Sequence, residues 1–171
     1  MKQLLSLLLC LSIIVPSMAK KEQRKQNVFP DGTPISEWFL QTKVVHPDSL
    51  GKKYDLSDYG IESNPHIVQT QKIQKIIDEA AANGGGVIYI PEGIYKSGSL
   101  FFKQGTHLYL SKGATLLGSE NIMDFPLLMT RIEGEYCKYF GALINADGLD
   151  TFTISGKGTI DGNGTPYWLS L

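Results

Sequence analysis

Near the end of the chain three oxygen-bearing side chains alternate with glycines: Asp161, Asn163 and Thr165, at the close of the run Ile154 to Gly164 and just after it. That alternation is how a calcium loop sets ligands along a turning backbone, but such a loop also needs a bidentate glutamate at its twelfth position. The sequence ends at Leu171, one residue short of it. A phosphate loop fails as well, because no Gly-Lys-Ser/Thr follows the glycines and no helical pattern starts there. Asp147 and Asp150 are close enough in sequence to suggest an acid pair, yet they flank Gly148 between two strand candidates, where aspartate favours turns. His107 opens a strand candidate, and a polar role on the strand surface suits it better than that of a general base. No metal or cofactor is expected from these groups.

The elements that must position such residues begin after a leader. Lys2, the apolar run Leu4 to Val15 and the Pro16-Ser-Met-Ala19 stretch have the three parts of a secretory signal peptide, with cleavage expected after Ala19. The run is shorter than the roughly 20 residues of a membrane span, so no membrane association is expected after cleavage, and the product is expected to be secreted or periplasmic. Cys137 is then the sole cysteine, and no internal disulfide is available. With Lys2 discounted, 15 basic and 17 acidic side chains leave a formal charge of −2 and no nucleic-acid footprint.

Residues 20–60 read as a polar tether and lead-in, rich in turn residues such as Pro30-Asp-Gly32 and Pro47-Asp48. Asn64-Pro65, with Thr70 as a second possible cap, predicts the start of an amphipathic helix. Its buried stripe would be Ile67, Thr70, Ile73, Ile76, Ile77, Ala80 and Ala81, and Asn83-Gly-Gly-Gly86 would end it. Short apolar or β-branched runs then recur at 87–90, 99–102, 107–110, 114–117, 142–145, 151–154 and 158–160. Connections this short hold no crossover helices, which leaves a short-stranded antiparallel sandwich or a solenoid that turns a corner after each strand. Gly98, Gly105, Gly113, Gly156 and Gly158 at or just before strand starts favour the solenoid. The long gap, roughly Ser119 to Phe140, reads as an insertion looping out of one coil.

Several stretches, in order, resemble glycoside hydrolase family 28, the polygalacturonase-like pectin-degrading enzymes. They are Asp31-Gly-Thr33 with Trp38, Leu50 to Gly60, Gln69-Thr70 leading to Asp78, Gly84 to Gly93, Ser97-Gly98, Gly113 to Gly118, Phe125-Pro126, Thr130 to Gly134, and Ile154 to Gly164 with Trp168. The resemblance covers nearly all of residues 28–171. It implies an all-β fold, a right-handed parallel β-helix, here incomplete, with an N-terminal amphipathic capping helix. On this reading residues 61–171 hold the cap and first coils of a domain truncated at its C-terminus. The implied chemistry is hydrolysis of α-1,4-linked galacturonic acid polymers by carboxylate acid and base, with an acidic plant polysaccharide as partner.

The resemblance also implies where the catalytic groups lie. The family's signatures, an Asn-Thr-Asp, an Asp-Asp, a Gly-His-Gly and an Arg-Ile-Lys, all follow the Asp-Gly-Asn-Gly coil, and none is present in this chain. Arg131-Ile132 continues into Glu133, and His46, His66 and His107 have no glycine on either side. The expected list of catalytic residues within the chain is therefore empty. Arg131 and Lys138 could meet uronate carboxylates, and Tyr136, Tyr139 and Phe140 could stack on a sugar; solvated charge and loop packing are the favoured readings of them. A non-catalytic polysaccharide-binding β-helix and a tail-spike-like structural protein remain as alternatives, the second opposed by the leader.

Overall fold

The structure, a computed structural model, describes residues 27–40 and 45–169. The expected leader, residues 1–19, and the tether as far as residue 26 lie outside the described residues. The chain divides at 42/43 into two compact units. In the first, Asp31 Oδ1 accepts from the Thr33 backbone N–H at 2.9 Å and its hydroxyl at 2.6 Å, a turn that lets Val28 bridge Pro34. A single 3-10 turn follows at Glu37–Leu40, with the Trp38 and Phe39 rings edge to face at 4.7 Å.

The second unit is built mainly of short strands. In chain order these are β1 (Lys53–Asp55), β2 (Asn64–Val68), helix α1 (Thr70–Ala82), β3 (Gly86–Ile90), β4 (Gly93–Ser97), β5 (Leu100–Phe101), β6 (Thr106–Leu110) and β7 (Ala114–Gly118). Then come β8 (Leu127–Ile132), β9 (Glu135–Phe140), β10 (Ile144–Asn145), β11 (Ile154–Gly156), β12 (Thr159–Asp161) and the short helix α2 (Thr165–Leu169). The strands form three parallel sheets, β1-β3-β6-β11, β2-β4-β7-β12 and β5-β10, and the chain visits them in fixed rotation: β3, β4, β5; then β6, β7, β10; then β11, β12. Among the described strands of this unit only β8 and β9 pair antiparallel, as a ribbon inserted between β7 and β10.

Register decides what faces inward. Tyr54, Ile88, Leu108 and Ile154 align across the first sheet, and Tyr95, Leu116 and Ile160 across the second. Ile88 and Leu116 are fully buried, and each such side chain stabilises the fold by about 1.5–3 kcal/mol relative to exposure. Ile154 and Ile160 continue the same inward rows but are 48% and 43% exposed, because β11 and β12 have a neighbour on one side only among the described residues. Outward positions are polar or aromatic: Tyr89 stacks on Tyr109 at 5.4 Å, and the Lys53 ammonium lies 4.7 Å over the Tyr89 ring.

Helix α1 packs against β3, β5 and β6 through Ile73, Ile76, Ile77 and Ala80, the expected stripe. Its start differs from the sequence reading. Asn64-Pro65 lies in β2, an edge strand where proline costs no ladder hydrogen bond, and Asn64 Oδ1 accepts from the His66 N–H at 2.8 Å. Ile67 is consequently exposed rather than buried. Thr70 opens the helix, but its hydroxyl accepts from the Gly98 N–H at 2.7 Å, tying α1 to the end of β4 instead of capping its own first turn. At the other end the Gly85 N–H reaches the Ala80 carbonyl at 2.8 Å, with Gly84 at φ 90°, the glycine stop the sequence predicts. Among the described residues no helix is long and apolar enough to cross a membrane.

Candidate functional site

The Asp161-Gly-Asn-Gly corner is scaffold. Asp161 Oδ1 accepts from the Asn163 N–H at 2.8 Å, and Asn163, left-handed at φ 50°, donates its side-chain amide to the Gly118 carbonyl of the preceding coil at 3.1 Å. One Asp161 oxygen and the Asn163 amide nitrogen thus serve the backbone, and among the described residues no three His, Cys, Asp or Glu side chains come together as metal ligands. Asp150 holds its corner through backbone groups paired with the Gln104 amide at 3.1 and 3.2 Å. His107 points outward from β6, half-buried, and burial pushes its imidazole below the ordinary histidine range. Its Nδ1 has no hydrogen-bond partner, so no carboxylate orients it as a base.

The insertion is the largest departure from the coil and is anchored at both ends. Lys96, 5% exposed on the outer side of β4, meets Glu120 at 2.8 and 3.1 Å. That hydrogen bond holds the Glu120 carboxyl below the usual carboxylate range. Ser119 bonds Asp124, Tyr167 of α2 donates to the Ser119 carbonyl, and the Asp124 carbonyl accepts from the Ser99 N–H. On the return side the Gly141 N–H donates to the Pro126 carbonyl at 2.9 Å.

Between these roots stands the β8–β9 ribbon, closed by Glu133-Gly134 with φ 52° and 93°, the paired positive angles of a tight type I′ hairpin. Alternation gives it two faces. Leu128, Thr130 and Ile132 share one face with Tyr139, Cys137 and Glu135; Leu127, Met129 and Arg131 share the other with Phe140, Lys138 and Tyr136. Where the ribbon leaves the body it shapes a cleft of about 600 Å³, lined by Phe101, Phe102, Leu128, Met129, Thr130, Asn145 and Asp147. Asp147 is the one acid in this lining, and the Asn145 amide is consumed by Ala142 and the Leu100 carbonyl. An apolar floor with one carboxylate can hold a ring against its wall, but glycoside hydrolysis uses two carboxyl groups flanking one bond.

The structure therefore brings Asp147 to the cleft and leaves Asp150 and His107 in the coil, while Arg131, Tyr136 and Lys138 gather on the ribbon's exposed face. Phe101 and Asn145 as cleft residues went unrecognised in the sequence. Strand alternation through Leu100-Phe-Phe102 was the available signal, since it turns Phe101 outward between two buried neighbours.

With this geometry in hand, the likeness to known proteins is specific. The chain is similar to polygalacturonase-type glycoside hydrolases of family 28. It is 33% identical over 147 residues, 81% of this chain, to the exo-poly-alpha-D-galacturonosidase of Dickeya chrysanthemi, of which it covers 24%. Over 129 residues, 73% of this chain and 17% of the other, it is 37% identical to the plasmin and fibronectin-binding protein A of Streptococcus pneumoniae. The solved family 28 exopolygalacturonase of Yersinia enterocolitica superposes with a TM-score of 0.59 at 33% identity, over 66% of this chain and 21% of that one. No family profile matches the chain. It spans about a quarter or less of the length of these curated relatives.

Proposed function

We propose that this chain is the front portion of a secreted or periplasmic glycoside hydrolase acting on α-1,4-linked galacturonic acid polymers. Its strands are read as the first coils of a right-handed parallel β-helix with α1 as its cap. The observation that carries the reading is the three-sheet rotation of parallel strands, and the likeness to the Yersinia exopolygalacturonase supports it. The catalytic carboxylates belong to later coils. Support for this comes from the single acid of the cleft, the backbone-bound Asp161, and the missing paired aspartates and Gly-His-Gly.

The test extends the reading frame past the Leu171 codon and assays the product on polygalacturonate. A continuing frame with an Asp-Asp and a Gly-His-Gly, and a product that releases galacturonic acid, is the expected result. A continuing frame without them, or a product inert on polygalacturonate, would overturn the hydrolase reading. It would favour a non-catalytic binding β-helix.

A further inference from the structure

We propose that the outer face of the β8–β9 ribbon is a binding strip for a polyuronate chain, adjoining the cleft at Met129. Arg131 and Lys138 meet successive carboxylates there, and the Tyr136 ring packs on a sugar between them. The inference rests on the reading that the protein's ligand is an acidic polysaccharide. Three observations converge on this face.

The first is charge. The six side chains of the face include two cations and no carboxylate: Leu127, Met129 and Arg131 on β8, and Tyr136, Lys138 and Phe140 on β9. Glu135 pairs with Ile132 on the opposite face, and Glu133 sits in the turn. Lys53, Lys96 and Lys103 are each in an ion pair, whereas neither Arg131 nor Lys138 has one among the described residues. On a chain of formal charge −1 this is a local excess that a polyanion would neutralise.

The second is preparation of the arginine. Arg131 lies directly opposite Tyr136, with its guanidinium 6.0 Å from the ring and its Nε donating to the Gly134 carbonyl at 3.1 Å. That bond orients the guanidinium, and its terminal amino groups have no acceptor among the described residues, so a carboxylate can take them as a fork with less ordering of the side chain. Lys138 is the diagonal neighbour, about 7–8 Å away backbone to backbone, and lies directly opposite Met129.

The third is exposure of flat apolar surface. Tyr136 is 79% exposed, Met129 65% and Leu127 58%, on a ribbon closed by a two-residue turn and hydrogen-bonded at its roots. An exposed tyrosine beside an arginine gives contact area with few rotatable bonds to order, which is the composition of a binding strip rather than of a solvated loop.

The experiment is affinity electrophoresis of the full chain in gels containing polygalacturonate, fully methyl-esterified pectin, or dextran sulfate. Wild type, R131Q/K138Q and Y136A are compared, with circular dichroism confirming that the exposed substitutions leave the fold intact. Wild type should be retarded by polygalacturonate and much less by the ester; the double variant should lose at least tenfold in affinity and Y136A several-fold. Retention of wild-type affinity within twofold by the double variant would overturn the strip while leaving the polysaccharide reading standing. Equal retardation by dextran sulfate would also overturn it, since that is generic polyanion binding. If wild type ignores polygalacturonate altogether, the strip is overturned, whereas the hydrolase reading fails only if the product extended past Leu171 is inert on polygalacturonate.

Discussion

Replacing Gly156 with alanine strikes the corner that turns the chain from β11 into β12. Gly156 has φ 106°, and a Cβ built on it would lie 1.9 Å from the Leu110 carbonyl oxygen and 2.8 Å from the Leu110 carbonyl carbon, both backbone atoms. Holding alanine at that φ costs about 1–3 kcal/mol. The clash then displaces a carbonyl that accepts from the Lys157 N–H at 2.9 Å and the Gly158 N–H at 3.2 Å. Weakening two such bonds adds about 1 kcal/mol each, for a total of about 3–5 kcal/mol. With a urea m-value of about 2 kcal/mol/M, the unfolding midpoint of G156A should fall by roughly 1.5–2.5 M. G162A is the internal control, because a Cβ at Gly162 meets nothing within 4 Å and its φ is not positive. It should shift stability by no more than about 0.5 kcal/mol. Equal midpoints for G156A and G162A would refute the register that brings β11 beneath β6 and the corner built on it.

Two further substitutions probe the scaffold. N163A removes the amide bond to the Gly118 carbonyl and leaves a Cβ in a left-handed conformation, so it should cost about 2 kcal/mol; N163G is relieved of the strain and should cost about half as much. The reverse order in urea titrations would show that Asn163 does not span two coils. For Glu120 the folded carboxyl titrates below its unfolded value of about 4.3, so the pair with Lys96 stabilises the fold above that pH and is lost as pH falls through the lower folded value. E120Q should therefore flatten the acid limb of a thermal-midpoint profile below about pH 5, and an unchanged limb would count against the ion pair.

The parts of the fold that the sequence discloses are those whose physics is local. Strands β3, β6 and β7 alternate large apolar residues inward, so their runs fall within a residue of the observed limits. Strand β4 is hidden because Lys96 interrupts its apolar pattern, and only the contact with Glu120, 24 residues away, makes that lysine acceptable on a covered surface. In β2, Asn64-Pro65 has the chemistry of a helix start, and pairing with β4 overrides it. Strand β1 is hidden too, since three residues ending in aspartate show no periodicity until β3 pairs with them.

For the candidate surfaces, residue type and placement separate in the same way. Arg131, Tyr136 and Lys138 stand out by chemistry, but sharing one face depends on the Glu133-Gly134 turn, which fixes the cross-strand register. Asp161 and Asn163 show the converse, with the right types for a metal and the wrong directions, one satisfied two residues on and the other by the neighbouring coil.

The central claim is that these are the front coils of a pectin-type hydrolase whose catalytic carboxylates lie outside the chain. Its most direct measurement is the release of reducing ends from polygalacturonate by the purified 171-residue chain. The account predicts a signal equal to the enzyme-free blank across pH 4–8, the range over which carboxylate pairs work, on the order of their shifted pKa values. Release of galacturonic acid above that blank would contradict it, because the reacting carboxyl groups would then have to be found among the residues of this chain.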